Sequence, residues 1–340
     1  MKRLWSLLLA AGLLLGLAGC GRPSWPVPEC LPEEGQRLVV YTSHKEEVYR
    51  PIIREFEERT GIWVEVVTGG TNELLDQLEE EKDAPKADVM FGGGVESLAS
   101  YRHCFSPYIC GESGHILEQF QPEDACWTPF SALPLVLIYN TKLVSPEQLR
   151  GWGDLLSADF QGRIAFADPA VSGSSFTALM TLVQSSPQQP RQALSQFAKA
   201  LEGSQLAGSA DVLTAVADGT ALVGITLEET ARKRMEAGAD IGLVYPCEGT
   251  SCVPDGSCLV RGGPHPDNAK KFLDFTASRD VQNLLEERFF RRTVRSDVSS
   301  GGILCPLGEL KLVQYDLQWA VDHRQSILSD WDFFRKEAES

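Results

Sequence analysis

The chain has 340 residues, 31 Lys plus Arg against 47 Asp plus Glu, and a formal net charge of −16 at pH 7. So acidic a protein carries no general basic field for a nucleic-acid backbone, which excludes nucleic acid as an electrostatically captured partner. It does not exclude a small anion, because local amide dipoles can act against the net charge. With 43% hydrophobic residues the chain can bury more than one core, so two lobes are expected on size alone.

The N-terminus reads as an export signal over residues 1–19. Lys2 and Arg3 precede an apolar run from Leu4 that ends at Leu17-Ala18-Gly19-Cys20. The run is too short, and wrongly flanked, for a membrane span. A cysteine directly after Leu-Ala-Gly resembles a bacterial lipobox, which implies that Cys20 is lipidated, becomes the mature N-terminus and anchors an extracytoplasmic protein to the membrane. Without Lys2 and Arg3 the charge is −18, from 29 basic and 47 acidic residues. Residues 20–36, rich in Pro and Gly, read as a tether. The remaining cysteines are Cys30, Cys104, Cys110, Cys126, Cys247, Cys252, Cys258 and Cys305. An even number outside the cytosol predicts disulfides, with Cys104 and Cys110 the simplest local pair and the connectivity otherwise unreadable. Cys247, Cys252, Cys258 and His265 fit no common zinc spacing, so neither metal nor cofactor is assigned.

From residue 38 a grammar repeats: a short apolar strand, a small or polar corner, then a helical pattern. Leu38 to Tyr41 reads as a buried strand, and Val48, Ile52, Ile53 and Phe56 fall on one helical face. "WVEVVTGGTNELLDQLEEE" repeats the plan with Leu74, Leu75 and Leu78 inward, and "ADVMFGGGVESLASY" is a third copy. "PFSALPLVLIYNTKLV" reads as a long buried strand passing between lobes, and "SPEQLRGWGDLLS" as a helix capped at Ser145 with Pro146 at its start. The grammar resumes with "RIAFADPAVSGSSFTALMTLV" and "ALVGITLEETARKRMEAG", followed by strands at "IGLVYP" and "SCLVRG". Two helices and a final long one complete the chain. Strands alternating with helices predict an α/β protein with mostly parallel sheets.

In such sheets ligands bind beyond the carboxyl ends of strands, where helices begin. Five corners carry small or hydroxylated residues: Thr42-Ser43-His44, Thr68-Gly69-Gly70-Thr71, Gly92-Gly93-Gly94, Ser172-Gly173-Ser174-Ser175 and Thr226-Leu227-Glu228. Each helix start offers unpaired amides and roughly half a positive charge, suited to an anion. The same residues are also the commonest helix caps. A nucleophilic serine would need an elbow and a base, and there is no G-x-S-x-G, H-E-x-x-H, P-loop or G-x-G-x-x-G motif. Catalysis is therefore not expected, although a secreted hydrolase built on Ser174 or Ser175 is a rival that activity can test.

Taken together, "VVYTSHKEEVYRPIIREFEERTGIWVEVVTGG", "ADVMFGGGVESL", "FADPAVSGSSFTAL", "VADGTALVGIT", "VYPCEGTSCVPDGS" and "GGPHPDNAKKFLDF" resemble the extracellular solute-binding proteins of bacterial ABC importers, nearest the ferric-ion, phosphonate and sugar-phosphate binders. The resemblance implies a two-lobed type II periplasmic-binding-protein fold that closes on a solute and delivers it to an ABC permease, as a monomer. On this reading lobe 1 spans residues 37–134 plus 260–340 and lobe 2 residues 135–259, with crossings near Leu135–Tyr139 and Cys258–Arg261. His44-Lys45-Glu46 matches the stretch that ferric binders carry after their first strand. The tyrosine pair those binders place after the strand written "ALVGIT" is replaced by Leu227-Glu228-Glu229, which removes the strongest ligands of a hard ferric ion. Those binders also place a glutamate after their third strand, where this chain has Gly92-Gly93-Gly94; Glu96 could stand in for it only if it turned inward, whereas its neighbours place it on a solvated helix face. The glycine and serine corners fit the organophosphate, sugar-phosphate and phosphonate branch better. There Ser43, His44, Gly70, Gly93, Gly94, Ser174, Ser175 and Thr177 would supply donors to an anionic solute and Glu228 would face its other end. A ferric-ion carrier is the alternative.

Overall fold

The computed structural model describes residues 32–298 and 304–339. The expected export signal, Cys20, Cys30 and most of the expected tether lie outside the described residues. The chain forms two compact units, Met1–Gln36 and Arg37–Ser340. Of the first, a short 3-10 turn at Glu34–Gln36 is described.

The strand–helix alternation is observed. Strand β1 (Arg37–Thr42) leads to helix α1 (Glu46–Thr60), β2 (Trp63–Thr68) to α2 (Thr71–Glu80), and β3 (Val89–Gly94) to α3 (Val95–Ser100). Helix α1 buries Val48, Ile52, Ile53 and Phe56, and α2 buries Leu74, Leu75 and Leu78, the stripes that a 3.6-residue period requires. A short β4 (Phe105–Ser106) precedes the long β5 (Thr128–Asn140). Then come β6 (Ile164–Ala167), α4 (Gly173–Ser185), α5 (Pro190–Leu201), β7 (Gln205–Leu206), α6 (Ser209–Ala217), β8 (Val223–Leu227) and α7 (Glu228–Glu236). The chain continues through β9 (Ile241–Val244), β10 (Cys252–Val260), α8 (Pro266–Thr276), α9 (Arg279–Phe289), α10 (Leu317–Asp322) and α11 (Arg324–Glu339).

The strands join in the order β2-β1-β3-β10-β5-β8-β6-β7, with β4 beside β10 and β9 beside β5. Strand β1 pairs in parallel with β2 and β3, and β6 in parallel with β7 and β8. Strands β5 and β10 run antiparallel to each other and to their neighbours, so they splice two parallel groups together. The splice has an address. Residues Thr128 to Pro134 of β5 pair with β10, and from Leu135 onward the partner is β8. Pro134, which has no amide to donate, stands where the strand changes partners. On β10 the register shifts beside Asp255.

Two stretches depart from the sequence reading. Residues 145–157 form two 3-10 turns, Pro146–Gln148 and Trp152–Leu156, instead of one helix. Gly151 breaks the run, and the Glu248 carboxylate takes the amides of Trp152 and Gly153 at 3.0 and 2.9 Å. The final helix is divided at His323 into α10 and α11. In the second lobe Phe160, Phe166, Phe176 and Phe197 form a core that also contains Ala320, Ile327 and Trp331. The Trp331 ring lies 5.6 Å from Phe166 and 5.7 Å from Phe197. We therefore propose that α10 and α11 be grouped with lobe 2.

The seven described cysteines, Cys104, Cys110, Cys126, Cys247, Cys252, Cys258 and Cys305, all carry free thiols. Cys104 packs with Tyr41 and Phe105, whereas Cys110 packs with Ile116 and Phe120 in a different cluster. Their closeness in sequence is undone by the turn between them.

A buried ionic network sits at the splice. Asp255 Oδ1 accepts the backbone N–H of Ser131 at 2.8 Å and its hydroxyl at 2.7 Å, and Oδ2 accepts from the Arg291 guanidinium at 2.6 Å. The next residue, Arg292, forks onto Glu228 at 2.7 and 3.0 Å. Arg291→Met would leave Asp255 buried and unpaired, and breaking such a pair costs about 3–5 kcal/mol. Equilibrium denaturation should show that loss as a lower midpoint, while Arg54→Ala in the exposed Arg54–Glu58 pair should cost under about 0.5 kcal/mol.

Candidate ligand-binding cleft

The corners that follow β1, β2 and β3 are packed into one another. Gly92 and Gly93 have φ of +99° and +106°, in the left-handed region that favours glycine. A Cβ on Gly92 would lie 2.8 Å from Nε2 of His44, and one on Gly93 would lie 2.8 Å from Cγ2 of Thr71. The glycines thus let three corners close together. His44 is buried, with its ring 4.6 Å from Phe91 and 4.9 Å from Phe130. Burial, reinforced by the charge of Arg291, holds its pKa well below the usual value near 6.5. The Asp255 carboxylate at 3.8 Å does not reverse this, because Arg291 already neutralises it.

The serine corner is a helix cap first. Ser172 Oγ accepts the amide of Ser175 at 3.2 Å and lies 3.1 Å from Ser174 Oγ. One turn on, the Thr177 hydroxyl donates to Glu96 Oε2 at 2.8 Å, which ties α4 to the start of α3. Glu96 is 3% exposed, so the solvated face expected from its neighbours is corrected: the carboxylate turns inward and is met by Thr177 and by the hydroxyl of Tyr315. Burial raises its pKa against the pull of those two donors.

Between the lobes lies a cavity of about 550 Å³. Lys45 and Glu47 come from the corner after β1, Ser174 from the start of α4, Ser209 from the start of α6, and Thr226, Glu229, Thr230, Lys233 and Arg234 from the end of β8 and α7. Corners from both parallel groups therefore converge on one space. Its lining holds three cations, two carboxylates and several hydroxyls, and it contains no tyrosine. Lys233 is shared between Glu47 at 3.0 Å and Glu229 at 3.3 Å, and Glu229 is also 3.5 Å from Arg291. The charges of Arg291 and Lys233 hold the Glu229 carboxyl below its ordinary value in spite of burial.

Of the predicted residues, Ser174 lines this space. Gly93 and His44 pack beneath the corners, Ser175 and Thr177 are buried in α4, and Gly94 caps α3. Ser43 is half-buried, and the exposed Gly70 gives its amide to Glu73 at 3.1 Å. Glu228 is 1% exposed and fully engaged by Arg292 and Tyr245, so its carboxylate does not face the cavity. Sequence reasoning missed Lys45, Lys233, Arg234 and the arginine pair Arg291-Arg292. The signal was present in "FFRRTVR", where the adjacent Arg291 and Arg292, with Arg295 close behind, follow an apolar pair and can be buried only against carboxylates.

The sequence profile of the bacterial extracellular solute-binding proteins matches residues 112–300. The periplasmic binding protein AfuA from Actinobacillus pleuropneumoniae, solved with fructose-6-phosphate bound, superposes with a TM-score of 0.80 at 25% identity, covering 88% of this chain and 98% of that one. The iron uptake protein A1 of Synechocystis is 25% identical over 87% of this chain and 86% of its own length. A periplasmic protein of Salmonella typhi named for 2-aminoethylphosphonate binding is 23% identical over 72% of this chain and 73% of its own. The two-lobed type II periplasmic-binding-protein fold expected from the sequence is the one observed.

The His44 environment has a pH signature. The folded state refuses a proton that the unfolded chain accepts, so this contribution to stability is complete above the ordinary value near 6.5 and is lost as pH falls below it. Melting temperatures measured against pH should show that slope in the native chain and a shallower one in His44→Asn. Gly92→Ala, forced into a left-handed backbone against the imidazole, should lose about 1–3 kcal/mol in the same assay at neutral pH.

Proposed function

The chain belongs to the bacterial extracellular solute-binding proteins, and from that premise we propose that it captures a small anionic solute, an organophosphate, sugar phosphate or phosphonate, in the interlobe cleft for delivery to an ABC permease of the cytoplasmic membrane. The observation that carries this reading is the lining of the 550 Å³ cavity: Lys45, Lys233 and Arg234 beside the hydroxyls of Ser174, Ser209, Thr226 and Thr230. Phosphoryl oxygens accept from cations and hydroxyls alike, and such charge-assisted bonds strengthen when lobe closure removes water. Capture makes and breaks no covalent bond. The second cavity, about 310 Å³ and lined by residues such as Phe120, Trp127 and Pro254, has no charged side chain and does not suit an anion.

Ferric iron fits the same lining less well. A hard cation wants phenolate and carboxylate oxygens, the lining holds no tyrosine, and Tyr245 and Tyr315 are committed elsewhere. Tyr245 is bonded to Glu228, with its pKa pushed up to about 12 by burial and by that carboxylate, and Tyr315 is bonded to Glu96. The AfuA complex and the aminoethylphosphonate relative support the phosphoryl reading by analogy. Lipidation at Cys20 would hold this receptor at the outer face of the membrane, where it works as a monomer.

A thermal-shift screen separates the readings. A cognate phosphorylated or phosphonate solute at a hundred times its Kd should stabilise the protein by about 2.7 kcal/mol. By calorimetry, Lys45→Ala should weaken that solute about tenfold or more, and Ser174→Ala about fivefold. A visible charge-transfer band with ferric citrate, and no response to any phosphoryl compound, would overturn the proposal in favour of iron. Ester turnover abolished by Ser174→Ala would overturn it in favour of a hydrolase.

A further inference from the structure

Away from the cleft, three side chains of different chemistry meet on the surface of the first lobe. Glu79 comes from α2, and His103 and Cys104 from the 3-10 turn Arg102–Cys104. One ligand atom from each lies within 4.8 Å of the others. Glu79 Oε2 is the shared point: it contacts His103 Nε2 and lies 3.3 Å from Cys104 Sγ. None of the three lines the cleft cavity.

The cluster is braced from outside. Lys82 holds the other oxygen of Glu79, Oε1, at 2.7 Å, which aims Oε2 at the imidazole and the thiol. The His103 ring stacks on Tyr101 with centroids 6.4 Å apart, and the Tyr101 hydroxyl donates to Asp76 Oδ1 at 2.5 Å, one turn before Glu79 on α2. The turn itself is pinned by Arg261, whose amide donates to the carbonyl of Cys104 at 2.8 Å and whose Nε donates to that of His103 at 3.0 Å. Partners that orient the ligands in this way are what a metal site requires beyond its ligands.

We propose that Glu79, His103 and Cys104 form a zinc site. A carboxylate oxygen, an imidazole nitrogen and a thiolate sulfur together suit a borderline-soft divalent ion. Calcium and magnesium call for oxygen alone, and ferric iron favours hard oxygens. Three protein ligands leave the fourth tetrahedral position to water. His103, with 58% of its side chain exposed, leaves that side open to solvent. Binding forms the Zn–O, Zn–N and Zn–S bonds and releases the Cys104 thiol proton to solvent, with no change of oxidation state. The buried Cys104 is a free thiol here, as coordination demands.

Cobalt(II), which reports thiolate ligation by its near-ultraviolet charge-transfer absorption, tests the site in the metal-free, phosphine-reduced full chain. The expected result is a band that saturates at one equivalent, is displaced by zinc, and is absent in Cys104→Ser. His103→Ala, at an exposed position, and Glu79→Gln, a change at a half-buried position that keeps the shape of the side chain, should keep the native melting temperature and weaken cobalt at least about tenfold. They decide the matter if the serine variant fails to fold. Saturating the cleft with its solute should leave the cobalt titration unchanged, so failure of the cleft reading and failure of this one are distinguishable. No thiolate band at stoichiometric cobalt, a band of full strength in Cys104→Ser, or unchanged affinity in both other variants would each overturn the proposal.

Discussion

The Asp255–Arg291 ion pair stands where two parallel strand groups are spliced by β5 and β10, and the rest of the architecture is arranged around it. Asp255 lies beside the register shift of β10 and takes both donors of Ser131. Arg291 answers its charge from the segment after α9, where Phe290 turns the chain with a φ of +56°. Because Arg292 then grips Glu228 and Arg291 approaches Glu229, the start of α7 in the second lobe is tied to the segment that pairs with β5. Desolvating so many charges is tolerable only when each has a partner, so the network is demanding in geometry and sets where the lobes meet.

That demand bears on how so acidic a protein would wall the cleft proposed for an anion. Glu228 is drawn out of the cavity by Arg292, and Glu229, which lines it, is offset by Arg291 and Lys233. With those carboxylates offset, Lys45 and Arg234 and the hydroxyls of Ser174, Ser209, Thr226 and Thr230 define the character of the space. Net charge of the whole chain describes the outer surface, whereas the potential in a cleft follows which charges are cancelled locally.

The same economy of position governs the corners. Gly92 and Gly93 are glycines because His44 and Thr71 occupy the volume a side chain would need. Ser172 spends its oxygen on the first turn of α4, and Thr177 spends its hydroxyl on Glu96, which fastens α4 to α3. Residues that read as ligand donors in one dimension are here the parts that hold the wall in place, and the wall exposes their neighbours.

Local periodicity determined the parts that depend on neighbours in the chain. The inward faces of α1 and α2 and the strand–helix alternation were legible, because burying a stripe of side chains imposes a 3.6- or 2-residue period on the residues themselves, whereas the two-lobed class came from chain size and from the family resemblance. The corners were legible as corners for the same reason. What each corner does was not, since capping and ligand binding use identical residues and differ only in which groups lie opposite. The inward turn of Glu96, the withdrawal of Glu228 by Arg292, the separation of Cys104 from Cys110, and the meeting of Glu79 with His103 and Cys104 all join residues whose partners come from other elements. Charge pairing and coordination act across space at a few ångströms, and only the packing of the sheet and its helices decides who stands within that reach.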